Sequence, residues 1–126
     1  MLVKTHAGAV HGVDALPITI EVNAGGKVMP GKQYYFLVGL PDSAVKEGQH
    51  RIESALKNMG YDLPRLKIVV NLAPADIRKE GSAYDLPICI GILAATNQIS
   101  RTQIEDYLII GELSLDGTLR HIKGAL

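Results

Sequence analysis

Tryptophan is missing from this 126-residue chain, and cysteine and phenylalanine occur once each. A lone cysteine cannot close an intrachain disulfide, which excludes a stapled secreted scaffold. That residue, Cys89, falls in an apolar stretch, where a free thiol packs as a small hydrophobe and not as a nucleophile. No apolar run reaches the length needed to span a bilayer. No leader shows the basic start, apolar middle and small-residue exit of a signal peptide, so the reading is cytoplasmic and without a membrane partner. An excess of charge is missing too. Thirteen basic residues against thirteen acidic ones give no field for nonspecific attachment to nucleic acid or to a lipid surface. His6, His11, His50 and His121 have no metal-ligand spacing.

What is present is 47% hydrophobic content, enough for one domain, 1–126, with a modest core. Leu2 to Ala9 reads as a first strand, with a bend marked by His11, Gly12 and Asp14. Leu16, Ile18, Ile20 and Val22 then alternate with Thr19, Glu21 and Asn23, the pattern of an antiparallel strand with one face on the core. Tyr34 to Leu40 is unbroken and apolar, which predicts a strand interior to the sheet. Pro41, Asp42 and Ser43 end it and offer helix caps. Val45, Ile52, Ala55, Leu56 and Met59 follow at helical spacing, and Gly60 and Pro64 stop that helix.

Between these elements, Gly26 to Lys32 spells GKVMPGK. It matches a phosphate-binding P-loop until Gln33 replaces the required Ser or Thr. A strand also follows where that motif needs a helix, so the reading is a hairpin connection.

The chain is organised around Lys67 to Leu93. Ile68 to Leu72 predicts a strand covered on both faces, with Asn71 near its end and Pro74 stopping it. A polar loop carrying Asp76, Arg78, Lys79 and Glu80 leads to Gly81, and Ser82 with Asp85 reads as a capping pair for a helix beginning at one or the other. Leu86 to Ala95 is apolar nearly throughout, the mark of a central helix without a solvated face. Free amides at its start can hold an anion, an oxyanion or the loop's own carboxylates; Asp76 and Asp85 favour the last. Thr102 to Asp106 predicts a helical turn and Tyr107 to Ile110 a strand. Leu113 to Ile122 predicts a hairpin with a two-residue turn at Asp116 and Gly117. The sum is an α/β domain: a mixed sheet that takes in Tyr107 to Ile110 and the last hairpin, with two main helices on one face.

Three phrases, VGLPDSAVKEG, VNLAPADIRKEGSAYDLPICIGIL and IIGELSLDGTLRHIKGAL, together resemble the N-terminal domain of the magnesium-chelatase-like AAA+ ATPases of the ComM/YifB type. The resemblance covers essentially the whole chain. It implies a fold similar to the Lon protease domain and to domain 2 of a small-subunit ribosomal protein. It also implies a fragment: no cofactor here, ATP and Mg in an AAA+ module expected downstream, a hexamer at full length, and DNA as a partner of a motor acting in recombination.

Lon-type enzymes use a serine in a phrase like KDGPSAG and a lysine after the last hairpin. Matched to that phrase, Lys79, Glu80 and Gly81 place Ser82 on the proline and Ala83 on the nucleophile, while Leu126 falls where the lysine belongs. The resemblance therefore implies a non-catalytic accessory domain, for ring assembly or substrate presentation, with Asp42, Asn71, Asp76, Lys79 and Asp85 as structural or interface residues. One alternative is a degenerate Ser/Lys hydrolase using the neighbouring Ser82 and Lys123. Another is a nucleic-acid-binding module with a basic edge of Arg65, Lys67, Arg78, Lys79, Arg120 and Lys123, although no stacking aromatics interleave it.

Overall fold

Alternation sets the first half of the architecture. In a computed structural model describing residues 1–11 and 14–121, β1 (Leu2–His11) and β2 (Asp14–Lys27) form a long antiparallel hairpin. Ile18, Ile20 and Val22 are wholly buried along one face of β2. Each such burial contributes roughly 1.5–3 kcal/mol. β4 (Leu66–Ala73) pairs antiparallel with the other side of β2, and β3 (Tyr35–Val38) pairs parallel with β4, giving the order β1-β2-β4-β3.

The register lines up the core face. Val3, Thr5 and Ala7 lie beside Val22, Ile20 and Ile18; Val22 and Ile20 continue into Val70 and Leu72 of β4, and Ala24 into Ile68. Both helices pack on this side. α1 (Ser43–Asn58) makes the parallel crossover from β3 to β4, while α2 (Asp85–Ala95) follows β4 and covers β1 and β2. Thr5, buried among apolar neighbours, donates its hydroxyl to the Pro87 carbonyl at 3.0 Å, so β1 and the start of α2 are joined by a satisfied polar group.

The helices begin differently and end alike. Asp42 caps α1 by accepting the Val45 amide at 2.9 Å. Beyond each last turn, paired amides return to the helix: Gly60 and Tyr61 to Lys57 and Leu56, Asn97 and Gln98 to Ala94 and Leu93. The Gln98 side chain then bonds both the amide and the carbonyl of Asp62, which fastens the end of α2 to the segment after α1.

Several expectations are corrected. β3 is shorter than Tyr34 to Leu40 and lies at the sheet edge, not inside it. It stops because Gly39 turns to φ +107 directly against the backbone of Leu72, where an added Cβ would stand 2.1 Å from the Leu72 oxygen. β4 is covered on one face only: Lys67, Val69 and Asn71 look away from both helices, so its apolar run exceeds what the packing uses. Tyr107 to Ile110 forms no strand beyond one parallel bridge, Leu108 to His6. Ile104–Asp106 is a single 3₁₀ turn.

The last hairpin, β5 (Glu112–Leu113) and β6 (Leu119–Arg120), forms its own two-stranded sheet. Five residues, 114–118, separate the strands, and a Ser114–Thr118 pair leaves a turn of three residues, not two. The Ser114 amide reaches the Thr118 carbonyl and the Gly117 amide the Ser114 carbonyl, with Gly117 at φ +94. Ile122 lies outside the described residues. So do Lys123 and Leu126, the two C-terminal positions weighed for a dyad. The GKVMPGK stretch ends β2 and enters a turn closed by the Lys32 amide on the Met29 carbonyl, with no helix after it.

Candidate functional site

The loop from β4 to α2 brings most of the singled-out polar residues together, and their partners define what the arrangement can do. Asp85 is the first residue of α2 and only 1% exposed. Its carboxylate faces α1. Arg51 donates through Nε to Oδ2 at 2.6 Å and through Nη2 to Oδ1 at 3.0 Å, and the Leu113 amide of β5 donates to Oδ2 at 3.1 Å. A buried carboxylate is tolerated when its lone pairs are met in this way. The same Arg51 Nη2 also reaches the Ala44 carbonyl at 2.8 Å. Hydrogen bonding to Asp85 raises the Arg51 pKa above its ordinary value against the opposing effect of burial. Gly48 makes the approach possible, because a Cβ there would stand 2.6 Å from Asp85 Oδ1.

Lys79 is the second centre. Its residue is entirely buried, and its ammonium donates to the Gly39 carbonyl at 2.9 Å and to the Pro74 carbonyl. The backbone on either side is paired as well: the Lys79 amide with Leu40 at 3.0 Å and the Lys79 carbonyl with the Asp42 amide at 2.9 Å. Burial pushes the Lys79 pKa below its ordinary value, and the Asp76 charge opposes that shift. Asp42 completes the junction, since its second oxygen accepts the Gly81 amide at 3.2 Å. One lysine and one aspartate thus join the ends of β3 and β4 to the start of α1 and to the loop before α2.

Other expected roles are corrected. Ser82 does not cap α2. The helix starts at Asp85 with Tyr84 as its N-cap and no side-chain cap, and the Ser82 hydroxyl donates to Glu112, which also faces Arg120 at 3.6 Å. Asp85 does not cap its own helix either, because Arg51 holds its carboxylate. The Leu86 amide is taken by the Gly111 carbonyl at 3.0 Å, and Gly111 in turn donates to the Ala83 carbonyl at 2.9 Å. Backbone therefore occupies the place considered for an anion or loop carboxylate. Asp76 is exposed and acts on Lys79 only through its charge. Asn71 lies apart, on the open face of the sheet, where its amide donates to Glu21 at 2.8 Å.

The basic edge is broken up. Lys79 is interior, Arg78 faces Glu80 at 3.7 Å, Arg120 faces Glu112, and the Lys67 ammonium lies 5.4 Å from the centre of the Phe36 ring. In the interior, Tyr35 projects a hydroxyl that has no hydrogen-bond partner among the described residues. Burial, with Asp85 and Glu53 adding to it, raises its pKa. Cys89 is buried beneath the same region and burial pushes its thiol up to about 12.

Sequence reading missed Arg51, Gly48, Gly111 and Glu112. Gly48 left a usable signal, since a glycine in the middle of a helix calls for a packing reason. Arg51 left none: it reads as one of several charges on a solvated helix face.

The comparisons agree with this frame. The model of the family described as ChlI, subunit ChlI of Mg-chelatase, matches residues 20–126. Among curated proteins, the chain is 48% identical over 121 residues to the uncharacterised protein YifB of Escherichia coli K12, covering 96% of this chain and 23% of that protein. It is 47% identical over 125 residues to YifB of Salmonella typhimurium, covering 99% and 24% respectively. It is 44% identical over 125 residues to competence protein ComM of Haemophilus influenzae, again covering 99% and 24%. The chain thus spans about a quarter of the length of these relatives. With 107 consecutive residues, 20 to 126, under one family model, the chain belongs to the Mg-chelatase ChlI family, as a domain similar to part of YifB and ComM.

Proposed function

We propose that this is a non-catalytic accessory domain of a magnesium-chelatase-like AAA+ ATPase, serving ring assembly or the presentation of substrate to a DNA-acting motor. ATP and Mg belong, in this reading, to a module encoded downstream. The observation that carries it is how the polar side chains at the start of α2 are used. Asp85 is held by Arg51 and the Leu113 amide, Lys79 by two carbonyls, and Asp42 by two amides. Ser82 is engaged by a carboxylate, a poor base for activating a hydroxyl. Among the described residues these groups tie segments together and present no nucleophile–base pair. One relative, ComM, is a competence protein, which favours a DNA-acting motor.

The test uses the full-length gene product, with and without residues 1–126. The shortened protein should hydrolyse ATP yet lose ring formation or DNA-directed work. Identical assembly and DNA-directed work in both would overturn the accessory role. Labelling of Ser82 by a serine-directed fluorophosphonate, lost on Ser82→Ala, would overturn the non-catalytic reading.

A further inference from the structure

Beside β1 runs the segment Tyr107 to Ile110, four apolar residues that the sheet only half accepts. It lies parallel to β1 at one bridge, and the Ile109 amide donates to the His6 carbonyl at 2.7 Å. Leu108 seats against Gly8, its Cδ2 3.4 Å from where a Cβ would stand. In an extended segment alternate amides point to opposite sides. The amides of Leu108 and Ile110 accordingly point away from β1, and among the described residues neither meets a backbone acceptor.

The side chains are as open as the edge. Tyr107 is 63% exposed, Leu108 61% and Ile110 39%. Leu119 of β6, 58% exposed, extends the strip, because its Cδ2 lies 3.3 Å from a Cβ built at Gly111. A shallow groove of about 440 Å³ runs along Thr102 to Ile104 and Tyr107 to Ile110. A contiguous apolar patch on an unpaired edge is the combination that marks strand addition.

The relatives supply the length for an occupant: this chain matches 23% or 24% of each of the three compared above. β6 sets Arg120 opposite Glu112, two residues from Ile110, so the end of the described chain lies close to the strip. We propose that Tyr107, Leu108, Ile110 and Leu119 dock an extended apolar segment of the same polypeptide beyond position 126, added as a strand along the open edge. This rests on the reading of the chain as one domain of a longer protein.

The full-length gene product tests it, with a photoreactive benzophenone amino acid in place of Tyr107 and, as a control, in place of the exposed Met29. The expected result is a crosslink from position 107 to residues beyond 126 of the same chain, suppressed by Leu108→Asp, and none of that kind from position 29. A crosslink to a second copy, no protein crosslink, or an equal yield from both positions would overturn the proposal. Hydrogen exchange on the unmodified protein gives an independent measure. The Leu108 and Ile110 amides should exchange on the order of tenfold or more slower than open chain, and open-chain rates would overturn the docking. A gene lacking a P-loop after position 126 defeats the ATPase reading by itself, whereas the crosslink map still decides the docking.

Discussion

Arg51 on α1 and Asp85 on α2 form the one ion pair between the two helices among the described residues, with Nε 2.6 Å from Oδ2. Removing the arginine alone strands a carboxylate that is 1% exposed. Arg51→Ala should therefore lower unfolding free energy by about 3–5 kcal/mol. Adding Asp85→Ala to it should cost less than the two single changes summed. Urea midpoints for the double-mutant cycle decide it, and strictly additive losses would contradict a coupled pair.

Gly48→Ala reverses the usual helix rule. In an exposed helix interior this change stabilises by about 1 kcal/mol. Here the new methyl would stand 2.6 Å from Asp85 Oδ1 and displace it from Arg51. Thermal unfolding should show a lower midpoint, and any rise would mean that the helices separate without loss.

Tyr35→Phe should leave stability unchanged or raise it. The hydroxyl is buried without a partner among the described residues, and an unmet buried donor costs about 1–3 kcal/mol. A loss above about 1 kcal/mol in denaturant unfolding would point to a partner for that hydroxyl, such as bound water.

Cys89 sets an alkaline dependence. Its folded pKa lies at about 12, raised first by burial and then by the Asp85 charge, whereas an unfolded thiol ionises near ~8.5. Below that pH both states keep the proton. Above it the unfolded state loses its proton first, so stability falls as pH rises toward about 12. Cys89→Ala should flatten this contribution between about pH 8.5 and pH 10, and a slope identical to that of the parent protein would contradict the assignment. In the folded protein the thiol should also resist a disulfide-exchange reagent until the chain unfolds.

Period and punctuation made most of the fold legible. The alternation from Leu16 to Asn23 fixed which face of β2 is buried, and Asp42 announced the cap of α1. Apolar runs misled where an edge intervenes. Val38 and Tyr107 carry the same kind of side chain as Val70, but hydrophobicity does not state how many neighbours a strand will have. At the candidate site, sequence picked out Asp42, Lys79 and Asp85 but assigned Asp85 and Ser82 to local caps. Their partners, Arg51 and Glu112, lie 34 and 30 residues away, and no local pattern encodes such pairings. The burial of Lys79 was not legible, because its receiving carbonyls, at Gly39 and Pro74, have no signature in a sequence.

The ammonium of Lys79 bonds a carbonyl 40 residues earlier in the chain. During synthesis from the N-terminus, the β3–α1 segment therefore leaves the ribosome with that oxygen still awaiting its donor. Closure of the parallel pair is a late and non-local event, the kind of contact that slows folding relative to a helical bundle of similar size.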